Sequence, residues 1–208
     1  MKATNDYSLA AMALAAAVLA TGCATRASTP LQSSNPLTRE EAISQMGATG
    51  DMSHYGELVQ ALRRDPNRMV RSQAAFSIGE ISKRYYSIGF YTLVDALEND
   101  PSVFVRSASA LSLSATHDSR AIAPLVRALN DNGRGRIAVR RGDSVVVYSA
   151  CVADAARTSL EKIMRMSFTS QADTATVQRH EIALMWEEWY ISREHIFPGT
   201  RAFARGRQ

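Results

Sequence analysis

Apolar residues recur along the middle of this chain at helical spacing, and they come in blocks that repeat. Leu58-Val59-Gln60-Ala61-Leu62 is echoed by Leu93-Val94-Asp95-Ala96-Leu97 and by Leu125-Val126-Arg127-Ala128-Leu129, with starts 35 and 32 residues apart. A second apolar series follows each of the first two blocks. It runs through Met69, Val70, Gln73, Ala74, Phe76, Ser77, Ile78 and Ile81, and then through Phe104, Val105, Ala108, Leu111 and Leu113. Both series fit a 3.6-residue period and predict helices. Self-similarity at such a spacing marks a stack in which each unit buries its apolar face against its neighbours. The expected fold is all-α: a short right-handed α-α superhelix of about three helix pairs.

Polar punctuation divides the pattern. Ser53 is the expected N-cap of the first full unit, and Asp65-Pro66 and Asp100-Pro101 separate the two helices of each pair. Asp caps helices well and Pro is tolerated at the first helical position. Upstream, Thr38 and Glu41 have capping-box spacing and predict a short helix that Gly47 ends, covering the open face of the stack. Small residues at Ala75 and Ala110 let neighbouring helices approach closely. The third unit opens with Asp118 as N-cap and Pro124 as a kink, and is then interrupted. Val70 and Val105 lie eight residues beyond the last Leu of their blocks, but Val152 lies 23 beyond Leu129. The inserted residues, about 133–148, hold β-branched runs on either side of Arg141-Gly142 and predict a β-hairpin. A lone hairpin is marginal in water, so it must lean on the helices or on a partner. Beyond it, Val152, Ala156, Leu160 and Ile163 resume the register of Val70, Ala74, Ile78 and Ile81. A final stripe of Ile182, Met185, Trp186 and Trp189, with Tyr190 beside it, predicts an amphipathic helix that caps the stack. The other reading of that stripe, an aromatic box for sugar or lipid, is the less common use of such spacing.

Charge refines this picture. The chain has 208 residues, 46% hydrophobic and 21% charged, which excludes wholesale disorder and allows one folded body with appendages. Its net charge is +4, yet residues 51–131 carry nine basic and nine acidic side chains. The surplus belongs to the insertion, with Arg134, Arg136, Arg140 and Arg141, and to a basic tail over 198–208 that is expected to be disordered. The four arginines are candidate contacts for an anionic surface or an acidic partner; alternatively they keep the hairpin edges from pairing. Neutral repeats argue against a nucleic-acid partner.

The N-terminus carries a different signal. Lys2 precedes an apolar run from Leu9 to Ala20, long enough for a signal-peptide core and short of the ~20 residues that cross a bilayer as a helix. Ala20-Thr21-Gly22-Cys23 resembles the lipobox of bacterial lipoproteins. The resemblance implies cleavage between Gly22 and Cys23 and acylation of Cys23, leaving a signal peptide at 1–22 and a Ser/Thr/Pro-rich tether at 23–37. Ala24 after the cysteine favours the outer membrane, facing the periplasm. A plain secretory signal is the alternative. Cys151 would remain as a lone thiol, which can form no intramolecular disulfide, and its apolar neighbours make it a small core residue.

The units at 53–83, 87–115 and, interrupted, 118–164 resemble HEAT repeats of the short bacterial type, close to those of phycobilisome-lyase-like proteins. The likeness extends over roughly 50–165 and places the solenoid at 38–197. It implies an Asp–Arg ladder from repeat to repeat, carried here by Asp65 with Arg71 and Asp100 with Arg106, and ending where Ala153 replaces the next Arg. That ladder reads as structural. His54, His117, His180 and His195 lack metal-ligand spacing, His180-Glu181 has Leu184 where a zincin motif needs a second His, and Gly133-Arg134-Gly135 is no phosphate loop. The expectation is therefore a non-enzymatic adaptor of the bacterial cell envelope, without metal or cofactor, lipid-anchored and binding a protein partner. The alternatives are a HEAT-like lyase or cofactor-acting subunit, and a spacer touching anionic lipid or cell wall through its arginines.

Overall fold

The computed structural model describes residues 30–141, 144–167, 179–193 and 196. The cleavage and lipidation residues Gly22 and Cys23, the hairpin turn at 142–143 and the basic tail lie outside the described residues.

Eight helices and one hairpin follow in order among the described residues: α1 Pro36–Thr49, α2 Tyr55–Arg64, α3 Arg68–Ser82, α4 Phe90–Asn99, α5 Val103–Leu113, α6 Ile122–Ala128, β1 Arg134–Arg141, β2 Ser144–Cys151, α7 Val152–Met164 and α8 Arg179–Ile191. Antiparallel pairs form between α2 and α3, α4 and α5, and α6 and α7, and the helices lie in two rows. One row runs α1, α3, α5, α7 and is tightly packed; the other runs α2, α4, α6, α8. The repeated Leu blocks fall on the second row, with Leu58, Leu93 and Leu125 fully buried. Val70, Ala74, Ala75, Ile78, Val105, Ala110, Val152, Ala156 and Leu160 fill the space between the rows.

Several boundaries differ from those expected. α1 begins at Pro36, capped by Asn35, whose side chain accepts from Leu37 N at 3.0 Å. Thr38 and Glu41 form no capping box, because Pro36, with its φ already set for the helix, starts it two residues earlier. Residues 30–35, expected to belong to the tether, include a 3-10 turn at Pro30–Gln32, and Leu31 packs on the core. Asp51, not Ser53, accepts from the start of the first pair, a 3-10 turn leading into α2. Asp65 and Asp100 end α2 and α4 instead of starting the next helices; Asn67 caps α3 through Met69 N at 2.8 Å. Asp118 caps as expected, and Pro124 sits in the first turn of α6, where its missing N–H costs nothing and makes no kink.

Gly47 does not end α1, which continues to Thr49 and stops at Gly50 with φ 61°. Gly47 is instead where α1 meets α3: a Cβ there would lie 2.4 Å from Ser77 Oγ. Ser77 Oγ donates to Ile43 O at 2.9 Å, and Ser159 on α7 donates to Ala110 O on α5 at 2.7 Å in the same manner. Small side chains thus hold the tight row at close range and tie helix to helix.

On α8 the buried stripe is Ile182, Ala183, Trp186 and Tyr190, while Met185 is exposed; the helix is rotated from the expected phase and packs on α6. Cys151 ends β2 half-buried and is not a core residue. Among the described residues no helix is long and apolar enough to cross a membrane.

Candidate binding cleft and the arginine edge

The two-helix unit repeats a turn as well as its helices, and the turn is what builds the edge of the molecule. Asp65 Oδ1 accepts from Asn67 N, Asp100 Oδ1 from Ser102 N and Asp131 Oδ1 from Gly133 N, each at 2.8 Å. Ser33 Oγ takes the same place one unit earlier, accepting from Asn35 N at 3.2 Å. Six residues beyond each of the first three stands an arginine that forks forward onto the next aspartate. Arg39 donates through Nε and Nη2 to Asp65 at 2.7 and 2.9 Å, and Arg71 to Asp100 at 2.9 and 3.0 Å. Arg106 completes the row on Asp131 at 2.7 and 3.3 Å. The remaining amino group of each arginine holds the carbonyl of its own turn, as Arg71 Nη1 does with Asp65 O at 3.0 Å.

The ladder therefore exists, but its ion pairs differ from those expected. Asp65 pairs with Arg39, and Arg71 pairs with Asp100; within one unit the arginine meets only the backbone. Arg39 and Asp131 were missed, although Ser33-Ser34-Asn35 through Arg39 repeats the spacing of Asp65-Pro66-Asn67 through Arg71. Burial alone would raise the Asp65 and Asp131 carboxyls, but the arginine forks and the turn N–H groups outweigh it and hold both below the ordinary carboxylate value. Each arginine here is spent on structure.

The hairpin pairs Arg134 with Cys151 through Arg141 with Ser144, so it is longer than expected and its loop is two residues. It packs on α5. Gly135 lies flat on the Phe104 ring, where a Cβ would come within 2.9 Å of Cε2. Arg134 and Arg136 are exposed on one face of β1. The register sets Arg140 opposite Val145 and Arg141 opposite Ser144, with those side chains outside the described residues. So the structure brings two of the four predicted arginines together.

Seated in this way, the hairpin walls a cleft of about 330 Å³ across α1, α3 and α5. Glu40, Glu41 and Ser44 stand at the α1 end; Ser72, Gln73 and Phe76 lie in the middle; Phe104, Ser107 and Leu111 meet Tyr148 and Ala150 of β2. Phe76 is 41% exposed and Leu111 37%, though the helical pattern assigned both to the apolar face. Ser107 is buried, lines the cleft, and its hydroxyl has no partner among the described residues. A larger cleft of about 610 Å³ adjoins this one on the turn edge, between Pro66-Asn67-Arg68 and Pro101-Ser102-Val103, and is closed by Arg134, Gly135 and Arg136. Phe104 lines both clefts, and Arg68 lies over its ring at 5.3 Å.

A second exposed cluster sits on the loop between α3 and α4. Tyr86 and Tyr91 are 68% and 71% exposed, and Arg120 bridges Tyr91 Oη and Asp118 while stacking on Phe90. Among the described residues no group of three metal-ligating side chains is present.

Residues 55–141 match the family model of HEAT repeats, a segment that begins at α2 and ends with β1. The match supports reading these helix pairs as HEAT repeats, a class that commonly mediates protein–protein interaction. Among the curated proteins none matches the chain.

Proposed function

We propose that this chain is a non-enzymatic binding module, a short HEAT-type α-solenoid that holds a segment of another protein in the cleft across α1, α3 and α5. The observation that carries the reading is the pair Phe76 and Leu111, each left more than a third exposed in a walled cleft while the aliphatic positions around them are fully buried. Apolar side chains kept at a cleft floor and flanked by polar groups suit a partner's apolar anchor. Ser107, buried without a partner, supplies a hydroxyl for that segment's backbone. In this reading the units form a right-handed superhelix, the hairpin interrupts the third repeat, and α8 is its cap.

The proposal extends to the setting. The apolar run Leu9–Ala20 and the lipobox-like Ala20-Thr21-Gly22-Cys23 support export and acylation at Cys23, which would tether the module in a bacterial envelope, on the periplasmic face of the outer membrane. Two experiments test the two halves separately. Radiolabelled palmitate should enter the wild-type protein and not Cys23→Ala; label in neither, with the initiator methionine retained, refutes the anchor. A photo-crosslinking residue at Phe76 should capture a partner that a crosslinker at exposed Arg63 does not, and Leu111→Asp should abolish the capture. Equal capture at both positions refutes the cleft.

A further inference from the structure

The geometry points to the turn-edge cleft of Arg68, Arg134 and Arg136 as the docking site for an acidic segment of the partner, one that carries carboxylates beside an apolar residue. This deepens the binding reading above and rests on it. The argument begins with what separates these arginines from their neighbours. Arg39, Arg71 and Arg106 are each committed to an aspartate and to turn carbonyls. Arg68, Arg134 and Arg136 are exposed, and among the described residues none of them pairs with a carboxylate. Three uncompensated positive charges on an otherwise neutral repeat surface are an electrostatic cost unless something anionic shares them.

Their placement is also organised. Arg134 and Arg136 stand two apart on one strand face, and the strand is fixed because Gly135 rests on Phe104. Arg68 is held over the other side of that ring's cleft. Between them the floor is apolar, from Pro66, Val103 and Phe104, so the site pairs a hydrophobic surface with a rim of forked donors. Arginine suits carboxylates for its bidentate geometry. Asp154 lies on the far flank, in the neighbouring cleft shared with Arg134 and Arg136, and sets the limit of the positive region. Because Phe104 belongs to both clefts, one bound segment can place its apolar anchor against Phe76 and Leu111 and its acids on the arginines.

The test uses the whole chain and a fluorescein-labelled peptide alternating glutamate with leucine, followed by anisotropy. Its controls are the same peptide with glutamine or lysine in place of glutamate. The acidic peptide should bind best, weaken as salt is raised, and lose about tenfold affinity in Arg134→Gln/Arg136→Gln, as expected for two rim ion pairs. Arg68→Gln should weaken it further, and Arg63→Gln on α2 should not. Arg134→Glu/Arg136→Glu should turn the preference toward the lysine peptide, which a merely unfolded hairpin would not do. Equal binding of the three peptides, or unchanged affinity in the double variant, overturns the proposal. So does binding of phosphatidylglycerol vesicles that depends on these arginines when the peptide does not bind, since that assigns them to a lipid surface. Phe76→Ala/Leu111→Ala separates the readings: if it abolishes partner crosslinking but spares the charge-dependent part of peptide binding, the arginine site stands by itself. If crosslinking persists in the arginine variants and the peptides fail, the apolar cleft stands and the acidic-segment proposal falls.

Discussion

Replacing Arg71 by Ala tests whether the arginine ladder stabilises the stack or merely decorates it. Arg71 makes a fork on Asp100 and holds Asp65 O, and the paired side chains are 13% and 9% exposed. Removing it leaves the Asp100 carboxylate with the Ser102 N–H and little water. Stripping one partner from a fully buried pair costs about 3–5 kcal/mol, whereas exposed pairs are worth about 0–1 kcal/mol. With this partial exposure we expect a loss of about 2–3 kcal/mol, or a Tm lower by about 4–10 °C for a body of this size. Arg71→Lys should restore less than half, since a point charge cannot fork. The assay is a double-mutant cycle with Asp100→Ala, read by urea unfolding followed by circular dichroism. A coupling of about 1.5–2.5 kcal/mol supports the reasoning. A coupling under about 0.5 kcal/mol refutes it and reduces the fork to an ordinary surface pair.

Three further outcomes follow from the same geometry. Gly47→Ala puts a Cβ 2.4 Å from Ser77 Oγ and should cost about 1–3 kcal/mol, with Ser77→Ala recovering part of it in the same unfolding assay. Because the Asp65 and Asp131 carboxyls are lowered on folding, their stabilisation should be full above the unfolded value of about 3.9 and be lost as pH falls through their folded values. Acid unfolding monitored by circular dichroism checks this, and Asp65→Asn should flatten that limb. Gly135→Val, which drives a side chain into the Phe104 ring, should unseat the hairpin and quench crosslinking at Phe76 while changing helical content little; unaltered crosslinking would show that the hairpin is not a wall of the cleft.

The rows of helices were legible because apolar periodicity reports burial directly: α2 to α5 and the hairpin stand close to where the pattern put them. Caps were read less well. In Asp65-Pro66-Asn67 three residues compete for one role, and the side chain nearest α3 won, leaving Asp65 free to close the turn and meet Arg39. Spacing says which residues repeat, but an arginine reaching toward the next unit is a fact of tertiary direction, so the partners shifted by one unit. Phe76 and Leu111 defeated the pattern for a related reason. A helical stripe wider than its contact surface looks the same in sequence whether its margin faces core or cleft. The arginines of the insertion were visible as charge, but Arg68 joined them only through the fold.

The hairpin's position has a last consequence. No residue of α7 lines the cleft across α1, α3 and α5. Packed helices lie about 8–10 Å apart, so a track over three of them is about 25 Å long, room for about seven residues of extended chain. The two strands thus act as a doorstop that fixes how much of a visitor the solenoid can read, and lengthening the row of repeats beyond them would not lengthen the message.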